Sequence, residues 1–206
     1  MEAAFGKFGP LVLHTRIDES LCKKILKLCN KKNPANHKLV GHMKDQHDID
    51  RVRYVDLIKG PLQMYAQAAK DWYNLEKFDK GFGDQIRIDS AWVNYMKAGD
   101  YNPPHVHTNC TLSSVLFLEV PKGLAKERAA YVGQDAGPGK LEFLYGEDRP
   151  LNNINMNIIP QRGDICIFPA NVRHVVAPFK SKGTRVSVAA NFTLMGYRAN
   201  AINEIF

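Results

Sequence analysis

Cysteine is scarce in this chain, and its few cysteines do not pair by spacing. Cys22, Cys29, Cys110 and Cys166 are the four present, and no two form a C-x-x-C. That pattern reads as free thiols in a reducing cytosol. Long apolar runs are also missing. Stretches such as "SVLFLEV" are far too short to span a bilayer. Nothing near the N-terminus runs basic, then apolar, then small in the manner of a signal peptide. No internal repeat and no low-complexity block is found. Together these absences predict a soluble cytoplasmic protein with no membrane partner.

What is present is ordinary in bulk. The 206 residues are 45% hydrophobic and 24% charged, enough to bury one sizeable core. The length predicts a single domain, or one domain with a terminal extension. A formal net charge of +7 suggests anionic partners without identifying one.

Along the chain, "FGPLVLHTRI" reads as a short strand. Asp18 suits the N-cap of a helix over "ESLCKKILKLCN", with Leu21, Cys22, Ile25, Leu28 and Cys29 at helical spacing. Lys23, Lys24, Lys27 and Lys31 lie opposite, a solvated face that could also touch nucleic acid. Residues 33–50 are polar, with His37, His42 and His47 at spacings that fit no single face, and read as a surface loop. Gly60 and Pro61 mark a second helix, with Leu62, Tyr65, Ala69, Trp72 and Tyr73 as its buried stripe. After "KGFGDQ" the pattern turns to β: "IRIDSAWVNYMKA", "LSSVLFLEV", "KLEFLY", "NINMNII", "GDICIFP", "HVVAPF" and "RVSVAANF" read as strands. Residues 121–140 hold four glycines, two prolines and no apolar period, and read as a long connection of the lid or binding-loop kind. Helices followed by many short strands predict an α+β fold with a sandwich or barrel body.

The chemistry gathers around "NPPHVHTNC". On a strand, His105 and His107 project from one face about 6–7 Å apart, and neutral imidazole is a common ligand for first-row metals. The segment "GDICIFPANVRHVV" delivers His174 at the start of a later strand, a sequence-distant third ligand. In "RVSVAANF", Arg185, Ser187, Ala189 and Asn191 share one face. An arginine there is costly unless it binds an anion, and its planar fork matches a carboxylate. A salt bridge to Glu142 or Glu147 is the alternative. The interval between His174 and Arg185 allows a hairpin, "APFKSKGT", that sets Arg185 beside His174 in an adjoining strand.

The runs "WVNYMKAGDYNPPHVHTNCTLSSVLFLEVP", "GKLEF" and "GDICIFPANVRHVVAPFKSKGTRVSVAANF" resemble the 2-oxoglutarate- and Fe(II)-dependent oxygenase superfamily. They are most similar to a bacterial and tailed-phage group that carries a paired-histidine motif; a viral source would place the protein in the host cytoplasm. The likeness covers about Trp92 to Phe192, roughly half of the chain. It implies a double-stranded β-helix, or jelly-roll, core over residues 86–195. Residues 1–85 would be mainly helical support and 196–206 a C-terminal tail. It implies Fe(II) held by His105, position 107 and His174, and 2-oxoglutarate chelating that metal. Arg185 and Ser187 would hold the far carboxylate, with Tyr95 and Asn94 as further cosubstrate contacts. O₂ and an unidentified substrate complete the expected partners.

The superfamily's usual ligand set is two histidines and one carboxylate, and the carboxylate position here is His107. Direct ligation by His107 is the favoured account. Asn109 or a water with a shifted frame, and Glu142 reaching in from a neighbouring strand, are the others. Two further readings stand beside the oxygenase. One is a cupin-like three-histidine metalloenzyme that does not use 2-oxoglutarate. The other is a non-catalytic jelly-roll module that binds nucleic acid.

Overall fold

A period of two in the sequence becomes two-faced strands. In β10 (Arg185–Leu194), Val186, Val188, Ala190 and Phe192 are buried on one side, while Arg185, Ser187 and Ala189 line a cavity on the other. The structure, a computed structural model, describes residues 9–73, 86–133, 137–147, 150–151 and 154–194. Ahead of β10, the chain forms β1 (Leu13–Arg16), α1 (Glu19–Leu26), β2 (Gln46–Asp48), α2 (Arg51–Leu57), α3 (Lys59–Tyr73), β3 (Ile86–Met96), β4 (Asn102–His105) and β5 (Leu112–Glu119). Then follow α4 (Leu124–Ala129), β6 (Leu141–Leu144), β7 (Asn155–Ile158), β8 (Asp164–Pro169) and β9 (Arg173–Val176).

Two antiparallel sheets result, one ordered β1-β8-β5-β10-β3-β2 and the other β4-β9-β6-β7. The helices cover the outer face of the six-stranded sheet. Ile25, Tyr54, Ile58 and Tyr65 from α1 to α3 meet Leu116, Ile165, Ile167, Val188 and Phe192 there. Each fully buried aliphatic side chain in such a layer contributes roughly 1.5–3 kcal/mol. A second cluster fills the space between the sheets, where Met96, Phe117, Cys166 and Phe168 face Leu141, Phe143, Val176 and Phe179. The fold is therefore mixed α and β, with the smaller sheet laid over the inner face of the larger.

Several local expectations change. Residues 33–50 are not a surface loop. β2 pairs with β3 through Gln46↔Asn94, His47↔Val93 and Asp48↔Trp92, and Gln46 and His47 are buried. The strand carries no apolar signal because its buried side chains are polar and find partners, Asn94 for Gln46 and Asp45 for His47. α2 has no apolar period either; Asp50 caps it by accepting from the Val52 and Arg53 amides. The 121–140 connection contains α4, anchored by buried Leu124. α1 stops at Leu26, short of its apolar stripe, while the Asp18 cap is present, accepting from the Leu21 amide at 2.9 Å. Strands β6, β7 and β9 are four residues each and β10 is ten. The segment after β9 crosses from the smaller sheet to the larger, so Arg185 is not in a strand adjoining His174. The N-terminal region supplies β1 and β2, an edge on each side of the larger sheet, besides its helices. The tail at 196–206 and the "GFGDQ" turn lie outside the described residues.

Candidate functional site: three histidines facing a buried arginine

β4 is an edge strand, so the missing amides of Pro103 and Pro104 cost little there. Its last residue, His105, sits opposite His174 of β9 in register. The strand ends at that point, and strand parity does not govern His107. A backbone hydrogen bond from the His107 amide to the Ala170 carbonyl (2.8 Å) turns its side chain inward instead. Ring centroids are 4.2 Å apart for His105 and His174, 5.1 Å for His107 and His174, and 5.2 Å for His105 and His107. One ring nitrogen from each lies within 4.8 Å of the other two, close enough to converge on one cation.

The hydrogen bonds fix which nitrogens face inward. His105 Nδ1 lies 2.7 Å from the Pro103 carbonyl, and His174 Nδ1 lies 3.0 Å from the Val172 carbonyl. A carbonyl only accepts, so each Nδ1 carries the proton and each Nε2 keeps its lone pair free. This is the outer support that metal-binding histidines require. Burial lowers the pKa of all three rings, to about 4 for His107 and about 3 for His174. At neutral pH the cluster is uncharged and competent to donate to a metal.

Neither alternative third ligand is brought in. Asn109 is exposed with φ of 60°. Glu142 has the opposite parity to the inward Leu141 and Phe143 and pairs with Lys140 at 2.7 Å. Among the described residues, the three histidines are the set that converges.

Arg185 occupies the other end of the same cavity. It is 2% exposed, donates from Nη1 to the Gly139 carbonyl at 3.0 Å and from Nη2 to the Met96 sulfur, and has no partner at Nε. Burial lowers the guanidinium pKa to about 10, leaving it charged at neutral pH. Glu142 is engaged elsewhere and Glu147 is exposed, so no described carboxylate compensates it. A buried cation without a counter-charge costs several kcal/mol, which suits a site that receives an anion. Ser187 and Asn94, both 5% exposed, are register partners beside it. Gln46 Nε2 donates to Asn94 Oδ1 at 2.8 Å, which leaves the Asn94 amide nitrogen for the cavity.

The cavity, about 40 Å³, runs between the sheets from the histidines to Arg185, Ser187 and Asn94. Tyr95 is not part of it. Its ring packs on the helix side with Lys31 at 4.5 Å and His47 at 6.2 Å. Strand alternation alone separates it from Asn94, a signal available in the sequence. Sequence reasoning missed Met43 and Asn102, which line the cavity, and Gln46 behind Asn94. Asn102 opens the "NPPHVHTNC" stretch but carries no ligand signal there, and Met43 and Gln46 belong to no motif, so tertiary placement alone reveals their roles.

A family profile described as "Putative 2OG-Fe(II) oxygenase" matches residues 90–191, about half of the chain. Three solved structures illustrate the likeness. A viral collagen prolyl hydroxylase from Paramecium bursaria Chlorella virus-1, in complex with 2-oxoglutarate, is 13% identical over 88% of this chain and 94% of its own, with a TM-score of 0.55. A prolyl-4-hydroxylase from Pseudomonas putida is 15% identical over 90% and 93%, at 0.54. The non-heme alpha-ketoglutarate-dependent epimerase of nogalamycin biosynthesis is 13% identical over 88% and 76%, at 0.53. At these identities the structural likeness carries the fold alone. No curated protein sequence matches the chain.

Proposed function

Because this chain belongs to the 2-oxoglutarate- and Fe(II)-dependent oxygenases, with Fe(II) and 2-oxoglutarate as its cofactors, we propose that it is a hydroxylase whose metal ligands are His105, His107 and His174. The two sheets are the halves of a double-stranded β-helix, and the chain is one catalytic domain. When bound, iron and 2-oxoglutarate supply O₂-dependent oxidation of a substrate C–H bond, with succinate and CO₂ as coproducts.

The chain's own residues bind, orient and exclude water. His105 and His174 present Nε2 because Pro103 and Val172 carbonyls hold their Nδ1 protons. Arg185 offers its fork, and Ser187 its hydroxyl, to the far carboxylate of the cosubstrate. Asn94, oriented by Gln46, adds a third donor. Phe117 and Phe168 wall the cavity and keep its dielectric low, which strengthens each of these contacts. With three neutral ligands a bound Fe(II) would keep both positive charges and, with Arg185, make a site of +3 that the dianionic cosubstrate reduces to +1. Cosubstrate affinity is therefore comparatively high, and selectivity for iron over zinc, nickel or copper comparatively low.

The observation that carries this reading is the buried Arg185, without a carboxylate, at the far end of a cavity that begins at three neutral imidazoles. A three-histidine enzyme that does not use 2-oxoglutarate has no use for that arginine. A nucleic-acid module needs neither feature, and of the expected lysine face Lys31 lies beyond α1 and is already paired with Asp45. Anaerobic titration with Fe(II) and 2-oxoglutarate tests the proposal. A weak visible charge-transfer band, followed by succinate release in air, is expected. Absence of the band in metal-loaded protein refutes the assignment.

A further inference from the structure

A second depression, about 290 Å³, opens over the metal face and shares Trp92, Asn102, His105 and His107 with the inner cavity. Its lining carries no net charge, although the protein's formal net charge is +7. The charged side chains in its wall are Lys38 and Asp48, and they neutralise one another at 2.6 Å. Lys126 and Arg128 ride on α4 and line no part of it.

Two amide oxygens at this groove are buried without partners, Gln46 Oε1 and Asn102 Oδ1. Gln46 is 2% exposed, and its nitrogen is already committed to Asn94 at 2.8 Å. An orphaned buried acceptor costs about 1–3 kcal/mol, so a donor is called for. At the larger sheet's end of the groove, Asn191 Oδ1 accepts from the Ser113 hydroxyl at 2.9 Å, which leaves its NH₂ to donate. Apolar side chains stand out along the groove: Val40 is 58% exposed and Val106 43%.

We infer that this groove is the substrate site and that its occupant is a neutral polypeptide segment, two of whose backbone N–H groups meet Gln46 and Asn102 and one of whose carbonyls meets Asn191. Successive peptide units each offer one donor and one acceptor, so a short segment supplies both kinds of group that the walls leave open. The phosphates of a nucleic-acid backbone are acceptors only, which would oppose both orphaned oxygens, and the groove's lysine, Lys38, is already paired. Val40 and Val106 receive the flanking apolar side chains, an area that a small molecule would leave wet. The inference rests on the oxygenase reading, because it is the metal position that makes this groove the reaction site.

The experiment uses the full chain with Fe(II) and 2-oxoglutarate under anaerobic conditions. The charge-transfer band is followed as three probes are added: a pool of acetylated and amidated neutral pentapeptides, the same pool with N-methylated central amides, and a single-stranded oligonucleotide. The unmodified pool is expected to shift the band. N-methylation, or Asn102→Leu, weakens that response about tenfold or more, the worth of one buried hydrogen bond. No response to the unmodified pool, an equal response to the N-methylated pool, or a response confined to the oligonucleotide overturns the inference. Failure of the band before any probe is added sinks the oxygenase reading instead, so the two failures are distinct.

Discussion

Replacing Arg185 by methionine has opposite consequences for stability and for binding. In the apo protein the guanidinium is 2% exposed, with one hydrogen bond to the Gly139 carbonyl, one contact to the Met96 sulfur and no counter-charge. Removing it gives up about 1 kcal/mol of hydrogen bonding and relieves the larger cost of a buried unpaired cation. The apo variant should unfold at the same or a higher temperature than the parent. Cosubstrate binding should collapse. Two charge-assisted hydrogen bonds to a carboxylate are together worth about 3–4 kcal/mol, or roughly 10²–10³ in Kd. With Mn(II) as a redox-inert stand-in, 2-oxoglutarate at 100 times Kd stabilises the parent by about 2.7 kcal/mol. That is roughly 5–10 °C for a chain of this size, and the variant should show almost none of it. Thermal unfolding with and without 2-oxoglutarate reads both effects. An apo variant destabilised by several kcal/mol, with the ligand-induced shift intact, would mean that Arg185 is a structural residue.

Other expectations follow from the same geometry. His107→Asp restores a carboxylate to the metal shell and removes one positive charge from the site; iron should still bind, while 2-oxoglutarate affinity falls about tenfold, measured by titration of the charge-transfer band. For the metal-free protein, His107 and His174 titrate in the folded state at about 4 and about 3, below the unfolded value near 6.5. The unfolded chain therefore binds more protons, and stability is full above about pH 6.5 and declines toward pH 4. The urea midpoint should follow that curve and flatten in His174→Phe, whereas a midpoint independent of pH over this window contradicts the burial of the rings. Gly163 has φ of 87°, and a Cβ there would stand 2.7 Å from the Ile17 carbonyl oxygen; Gly163→Ala should cost about 2–4 kcal/mol, seen as a lower denaturation midpoint with metal stoichiometry unchanged in the folded fraction.

The sequence is most informative where one chemical pattern maps to one face. Alternation in β10 assigns Arg185 and Ser187 to the cavity side, and the histidine pair with distant His174 anticipates the convergence seen in the structure. Legibility ends where pairing between strands decides the outcome. Gln46 carries no apolar signal, so β2 is invisible until β3 is laid beside it. His174 and Arg185 lie in different sheets, and their short separation in sequence reads more easily as a hairpin than as a crossing between layers. His107 lies beyond its strand and is aimed by a bond to Ala170, a contact that no local rule supplies. Tyr95 is different in kind, since strand parity alone already excludes it from the face that carries Asn94.

A crystal structure of the anaerobic protein with Mn(II) and 2-oxoglutarate tests the central claim most directly. The account predicts Nε2 of His105, His107 and His174 bound to one metal ion, and the far carboxylate of 2-oxoglutarate within hydrogen-bond distance of Arg185. A metal shell completed by a side-chain carboxylate in place of any of these histidines, or a cosubstrate carboxylate that does not reach Arg185, would contradict it.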